Sequence, residues 1–107
     1  EDALKLVNVV PNPYYAYSDY EESKFDNIVK VTNLPEECTV SIYNLGGTLI
    51  RRYQKSDPST SLDWDLQNNK GVPVAGGVYL IHVNVEGVGE KTLKLFTVLR
   101  PTDVSNF

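Results

Sequence analysis

The chain of 107 residues is 41% apolar, 10% aromatic and 22% charged, with a formal net charge of −4. That composition is one ordinary globular domain: too little chain for two independent cores, too many apolar side chains for a disordered tail. The negative balance and the scattered Lys and Arg exclude a nonspecific nucleic-acid binder, which needs clustered cations against phosphate.

Leu4 to Val10, LKLVNVV, is β-branched and apolar and stops at Pro11-Asn12-Pro13, where two prolines remove two backbone donors. The stretch reads as a first strand ending in a rigid turn. Tyr14, Tyr15, Tyr17 and Tyr20 follow, with acidic Glu21-Glu22 behind them. The plainer reading is a long crossover packed against the sheet edge; the other is a stacking platform for sugars, since aromatic faces suit pyranose rings. Asp26 to Leu34 places Val29 and Val31 on one face and Lys30 and Thr32 on the other, closed by Pro35, which predicts a second strand.

Cys38 to Leu45 sets Cys38, Val40 and Ile42 on one face, and Gly46-Gly47 provides the permissive backbone of a tight hairpin. Cys38 is the only cysteine, so there is no internal disulfide and the disulfide-stapled scaffold class is excluded. Its apolar alternation marks it as a small buried hydrophobe rather than a reactive thiol. Thr48 to Gln54 alternates imperfectly, because Leu49 and Ile50 are adjacent, and this predicts a bulge or an edge position. Arg51 and Arg52 point to opposite faces and read as a solvated strand.

Ser56-Asp57-Pro58-Ser59 is a turn cluster, after which Leu62 and Trp64 alternate with Asp63 and Asp65. An Asn-, Gly- and Pro-rich loop leads to Gly77 to Val85, with Tyr79, Ile81, Val83 and Val85 on one side and Leu80, His82 and Asn84 on the other. Trp64 and Tyr79 are expected to pack inward across the two sheets. Gly87-Val88-Gly89 turns the chain into a last strand over Glu90 to Leu99, and 100–107 reads as a polar tail, disordered or laid along the sheet. About seven antiparallel strands with regular turn signals and no useful helical period predict a single all-β domain over 1–107, an immunoglobulin-like β-sandwich. No apolar run approaches the roughly 18 residues of a membrane span and no signal-peptide pattern opens the chain. A first residue Glu1 rather than Met suggests an excised fragment or mature product.

The chemistry available is sparse. His82 is the only histidine and no nucleophile motif accompanies it, so a triad cannot be assembled around it. Neither a Cys/His zinc cluster, a P-loop nor a dinucleotide fingerprint is present, and no cofactor is expected. Asp63 and Asp65, about 6.6 Å apart on one strand face, with Asn68 and Asn69 in the loop behind, are the weak candidates for a hard cation. The spacing does not match an EF-hand loop, and capping and turn roles are the plainer reading of the pair. A glycosidase pair there has no evident cleft to raise one carboxyl.

Taken together, certain segments resemble a known family: Val9-Val10-Pro11-Asn12-Pro13, Val40-Ser41-Ile42-Tyr43-Asn44-Leu45-Gly46-Gly47, Trp64-Asp65 through Gly71-Val72-Pro73-Val74-Ala75 to Gly76-Gly77-Val78-Tyr79, and a Lys-bearing last strand. They resemble the C-terminal sorting domains of the type IX secretion system of Bacteroidetes, over nearly the whole chain. The Trp-Asp, Gly and Gly-Val-Tyr elements are also similar to the immunoglobulin-like domain of flagellar hook-capping proteins. The resemblance implies a noncatalytic domain at the end of a larger exported cargo protein. Its partners would be an outer-membrane shuttle and the translocon, and its location secreted or cell-surface by way of the periplasm. Carried over by position, the recognition elements are Pro11, Asn12 and Pro13, then Gly77, Val78 and Tyr79, then Lys94, Leu95 and Phe96, read through the last strand and its edge by strand addition. A second reading stays open, a structural or adhesive module of a large surface protein whose Tyr14, Tyr15, Tyr17 and Tyr20 face a protein or a glycan.

Overall fold

The computed structural model describes residues 2–17 and 28–100, without the side chains of residues 2, 3, 16, 17, 99 and 100. A helical turn, α1 (Asp2–Lys5), is followed by eight strands: β1 (Asn8–Val10), β2 (Tyr14–Tyr17), β3 (Val29–Thr32), β4 (Glu37–Asn44), β5 (Leu49–Ser56), β6 (Leu62–Trp64), β7 (Gly77–Val85) and β8 (Gly89–Arg100). Their pairing gives a three-stranded sheet, β1-β3-β6, and a five-stranded sheet, β2-β8-β7-β4-β5. This is the expected immunoglobulin-like sandwich. The chain switches sheets between β1 and β2, so one opening segment serves both layers.

Alternation along the strands builds the core. Val9, Val29, Val31 and Trp64 from the small sheet face Cys38, Val40, Ile42, Tyr79, Ile81, Val83 and Leu95 from the large one, all buried. Trp64 and Tyr79 meet edge to face, with ring centroids 5.6 Å apart and planes at 70°. The Trp64 indole donates to the Gln67 carbonyl at 2.9 Å, so its one polar group is satisfied inside. Burial drives the Tyr79 phenol and the Cys38 thiol above their ordinary values, the latter against the opposing pull of the Lys55 cation. Cys38 is thus packed in the core as a small hydrophobe, as its alternation predicts.

The hairpin at Gly46-Gly47 closes with Asn44 N–H donating to Thr48 O at 3.0 Å and Gly47 N–H to Asn44 O at 3.0 Å. Gly47 has φ of +93°, which glycine adopts without a Cβ penalty. The irregular Thr48 to Gln54 pattern has the foreseen cause. β5 is a sheet edge, and its register slips so that Ile42 faces Arg51 while Tyr43 faces Leu49, leaving Ile50 as the extra residue.

Two elements differ from expectation. Leu4 to Val7 is not strand: Leu4 lies in α1, Val7 N–H donates to Leu4 O at 3.3 Å, and both side chains plug the end of the core. The tyrosine stretch is not only a crossover, because Tyr14–Tyr17 pairs with β8 from Tyr14↔Thr97 to Tyr17↔Arg100, in parallel. Among the described residues one pairing in an otherwise antiparallel assembly is thus parallel, and the strands number eight where about seven were expected.

Two cations also behave differently from a solvated strand. Arg51 donates from Nη1 to Asp65 Oδ1 (3.2 Å), Gln67 O (3.1 Å) and Asn68 O (3.2 Å), winding the loop after Trp64 around itself, and its guanidinium lies 4.9 Å from the Tyr53 ring centroid. Lys55, whose side chain is 2% exposed, donates to the carbonyls of Pro35 (3.0 Å), Glu36 (3.2 Å) and Asp57 (2.7 Å) and pairs with the Asp57 carboxylate at 3.0 Å. An ammonium buried this far persists because every proton has an acceptor.

Candidate recognition surface

The three triplets singled out in the sequence converge. Pro11, Asn12 and Pro13 form the exposed link between β1 and β2, and the Asn12 amide reaches across to β8. Its Nδ2 donates to Lys94 O at 2.7 Å, and Phe96 N–H donates to its Oδ1 at 3.1 Å. One side chain therefore acts as an extra rung of the ladder, just ahead of the point where β2 takes over at Thr97. On the other side of β8, Gly77 pairs with Thr97, Val78 with Phe96 and Tyr79 with Leu95. Gly77, at φ +150°, opens β7 with a reciprocal clasp: its N–H donates to Thr97 Oγ1 at 2.9 Å and that hydroxyl donates to Gly77 O at 2.9 Å. Residues more than 80 positions apart in sequence thus share one seam.

Their side chains divide between two roles. Tyr79 and Leu95 point into the core, and the Tyr79 hydroxyl donates to Ala75 O, holding the loop before β7. Val78, Lys94 and Phe96 lie on the outer face of the five-stranded sheet, with Phe96 46% exposed. The second group faces outward, while the first supports it from beneath.

The edge of β8 is free along only part of its length. From Lys94 onward it is occupied by Asn12 and β2. Over Gly89–Leu93 the strand partner among the described residues is β7 alone, and the Lys91 ammonium folds over to the carbonyls of Lys5 and Val7, both at 3.0 Å, tying the strand to the α1–β1 corner. Strand addition to β8 is therefore closed at the half bearing Phe96, and at the earlier half the described residues leave no strand on that edge beyond the α1–β1 corner.

The remaining candidates fall elsewhere. Asp63 pairs with Lys30 across the small sheet at 3.1 Å, while Asp65, beyond the end of β6, pairs with Arg51 at 3.2 Å. Each carboxylate answers a different cation, and among the described residues no group of three or more His, Cys, Asp or Glu could hold a metal ion. His82 lies on the outer face with Nε2 2.6 Å from Glu90 Oε1. Tyr14 is buried whereas Tyr15 is exposed, because neighbours in a strand face opposite ways, so these two do not make one platform. The Tyr17 side chain, Tyr20 and the tail 101–107 lie outside the described residues. Among the described residues no helix is long and apolar enough to cross a membrane.

Sequence reasoning missed Lys55, Arg51 as the hub of the loop, and the outer-face neighbours Tyr43 and Leu80. The signal for Lys55 was present: it shares strand parity with Arg51 and Tyr53, whose phenol burial raises against the opposing pull of Arg51.

No protein-family profile matches the sequence, and no curated protein matches it either. Solved structures do. The chain is similar to part of PorZ, an essential bacterial surface component of the type IX secretion system of Porphyromonas gingivalis, at 26% identity and a TM-score of 0.69 over 91% of this chain. It is similar in fold to part of dimeric latent PorU from the same organism, at 23% identity and a TM-score of 0.61 over 88% of this chain. CopC from Methylosinus trichosporium OB3b shares the fold at 16% identity and a TM-score of 0.50. The chain corresponds to 12% of the PorZ chain and 9% of the PorU chain. The resemblance read from the sequence and the likeness to PorZ point to the same group, immunoglobulin-like domains related to type IX secretion, while PorU and CopC share the fold.

Proposed function

We propose that this domain works as a noncatalytic C-terminal sorting domain, carrying a larger cargo protein across the outer membrane by type IX secretion to the cell surface or beyond. The observation that carries the reading is the likeness to a domain-sized part of PorZ, which spans 91% of this chain. The convergence of the three sequence triplets on one seam supports it further. A signal read by a shuttle needs a surface that survives folding, and the seam offers exposed Asn12, Lys94 and Phe96 above buried Tyr79 and Leu95. The seam offers binding chemistry, hydrogen-bonding backbone beside apolar side chains, which supports this reading.

The test is delivery. A periplasm-directed reporter fused to residues 1–107 in a type IX-competent host is expected to reach the cell surface or medium. Retention in the periplasm sinks the proposal.

A further inference from the structure

The outer face of the five-stranded sheet is divided into two unlike ends. Toward the close of β8 an apolar band crosses all five strands through Tyr15, Val98, Phe96, Leu80, Tyr43 and Leu49. Tyr15 lies opposite Val98 and Tyr43 opposite both Leu80 and Leu49, while Leu80, whose own partner on β8 is Lys94, meets Phe96 on the diagonal. Tyr15, Phe96 and Leu49 are exposed, and Val98, Leu80 and Tyr43 half-buried. At the opposite end lies a polar hollow of about 560 Å³, lined among others by Glu37, Thr39, Gln54, Asn84 and Glu86.

Four strand spacings make the band about 19 Å long. That is the apolar centre of a protein-docking site rather than the whole of one, since a stable interface covers about 800 Å² per partner. What rims the band therefore decides what it takes. Among the described residues the charges bordering it are Arg52, which donates to Ser41 Oγ (3.0 Å) and Tyr43 Oη (3.4 Å), and exposed Lys94. On a chain of net charge −4 this corner is locally positive. The face's carboxylates, Glu37, Glu86 and Glu90, sit toward the far end, and Glu90 is engaged with His82.

The geometry points to the apolar band as the docking surface for a separate protein, one that presents an apolar patch rimmed by carboxylates. A second copy fits less well. Stacking band on band about a two-fold axis brings basic rim to basic rim or to the turn end, which holds no carboxylate among the described residues, so Arg52 and Lys94 gain no partner there. An aromatic-rich centre beside an arginine is also the composition that concentrates binding energy in protein interfaces. This inference deepens the sorting proposal and rests on it for the partner's setting.

The experiment uses the reporter fused to residues 1–107 in the type IX-competent host, with photoreactive benzoylphenylalanine at position 96. One adduct is expected, with the attachment peptide on the partner apolar and flanked by Asp or Glu. Its yield should fall at least tenfold with Arg52→Glu, and no equivalent adduct should form from position 54 in the polar hollow. Tyr15→Ser with Phe96→Ser should cut delivery at least tenfold while the purified domain melts within a few degrees of the parent. An adduct of two copies of the fusion, or one indifferent to Arg52→Glu, overturns the inference. So does undiminished delivery of the double variant when the parent fusion is delivered. A parent fusion held in the periplasm instead defeats the sorting proposal itself, which separates the two failures.

Discussion

The centre of the sandwich and the seam beside β8 use the same strand, β8, in opposite ways. At the centre, Leu95 and Tyr79 turn inward to Trp64, and stability comes from apolar area removed from water, at about 25 cal/mol per Å². At the seam, one residue to either side, Lys94 and Phe96 turn outward and their backbone is held by a single asparagine side chain. The core is redundant, with each residue packed among several others. The seam depends on one amide. A strand that is rigid underneath and lightly fastened along its edge can present a surface without lending it much stability.

The contrast is broken most forcefully from the core. Trp64→Ala removes the largest fully buried side chain and its indole bond to Gln67 O, and should cost about 3–5 kcal/mol, read as a fall in the urea midpoint. An unchanged midpoint would mean that the two sheets are not braced by this residue. Tyr79→Phe keeps the ring and deletes the hydroxyl bond to Ala75 O, at a cost of about 1 kcal/mol. It also has a pH signature. Burial raises the Tyr79 phenol above its ordinary 10.0, so the folded state holds the proton more tightly than the unfolded chain. The stability this represents is complete below pH 10 and is lost as pH rises through the folded value. The variant should lose stability less steeply than the parent above pH 10, with Tyr53, raised in the same direction, accounting for part of the slope that remains. Parallel curves for the two proteins would rule out that linkage.

The smallest effect on stability belongs to the seam, and it sharpens the comparison. Asn12→Ala loses two hydrogen bonds in an exposed setting and should cost about 1 kcal/mol or less overall. Amide exchange should nevertheless quicken severalfold at Phe96, whose N–H donates to Asn12, while Leu95, turned toward β7, keeps its protection. Equal acceleration at both positions would show that the seam and the core open together.

Local patterns in the sequence reach the core because its rules are local. Alternation with period two places Cys38, Val40 and Ile42, and again Tyr79, Ile81, Val83 and Val85, on the buried face. The broken alternation at Leu49-Ile50 announces the bulge, and Gly46-Gly47 the hairpin, since φ and ψ preferences belong to the residue itself. The chemistry of Trp64 suits it to anchor two sheets wherever a sandwich forms. These features, and the resemblance they add up to, follow from the chain read a few residues at a time.

The seam and the outer band follow from no such window. Nothing near Asn12 indicates a bond to residues 82 and 84 positions away, and nothing in Tyr14–Tyr17 indicates parallel pairing with Thr97–Arg100. The burial of Lys55 depends on three carbonyls from the turns on either side of its own hairpin. The apolar band exists only because β2, β8, β7, β4 and β5 lie side by side in that order, an order unlike that of the chain. Period and turn chemistry determined which face of each strand is apolar. Only the tertiary structure decided which edges meet, because strand pairing is settled by the competition of distant segments for one row of backbone donors and acceptors.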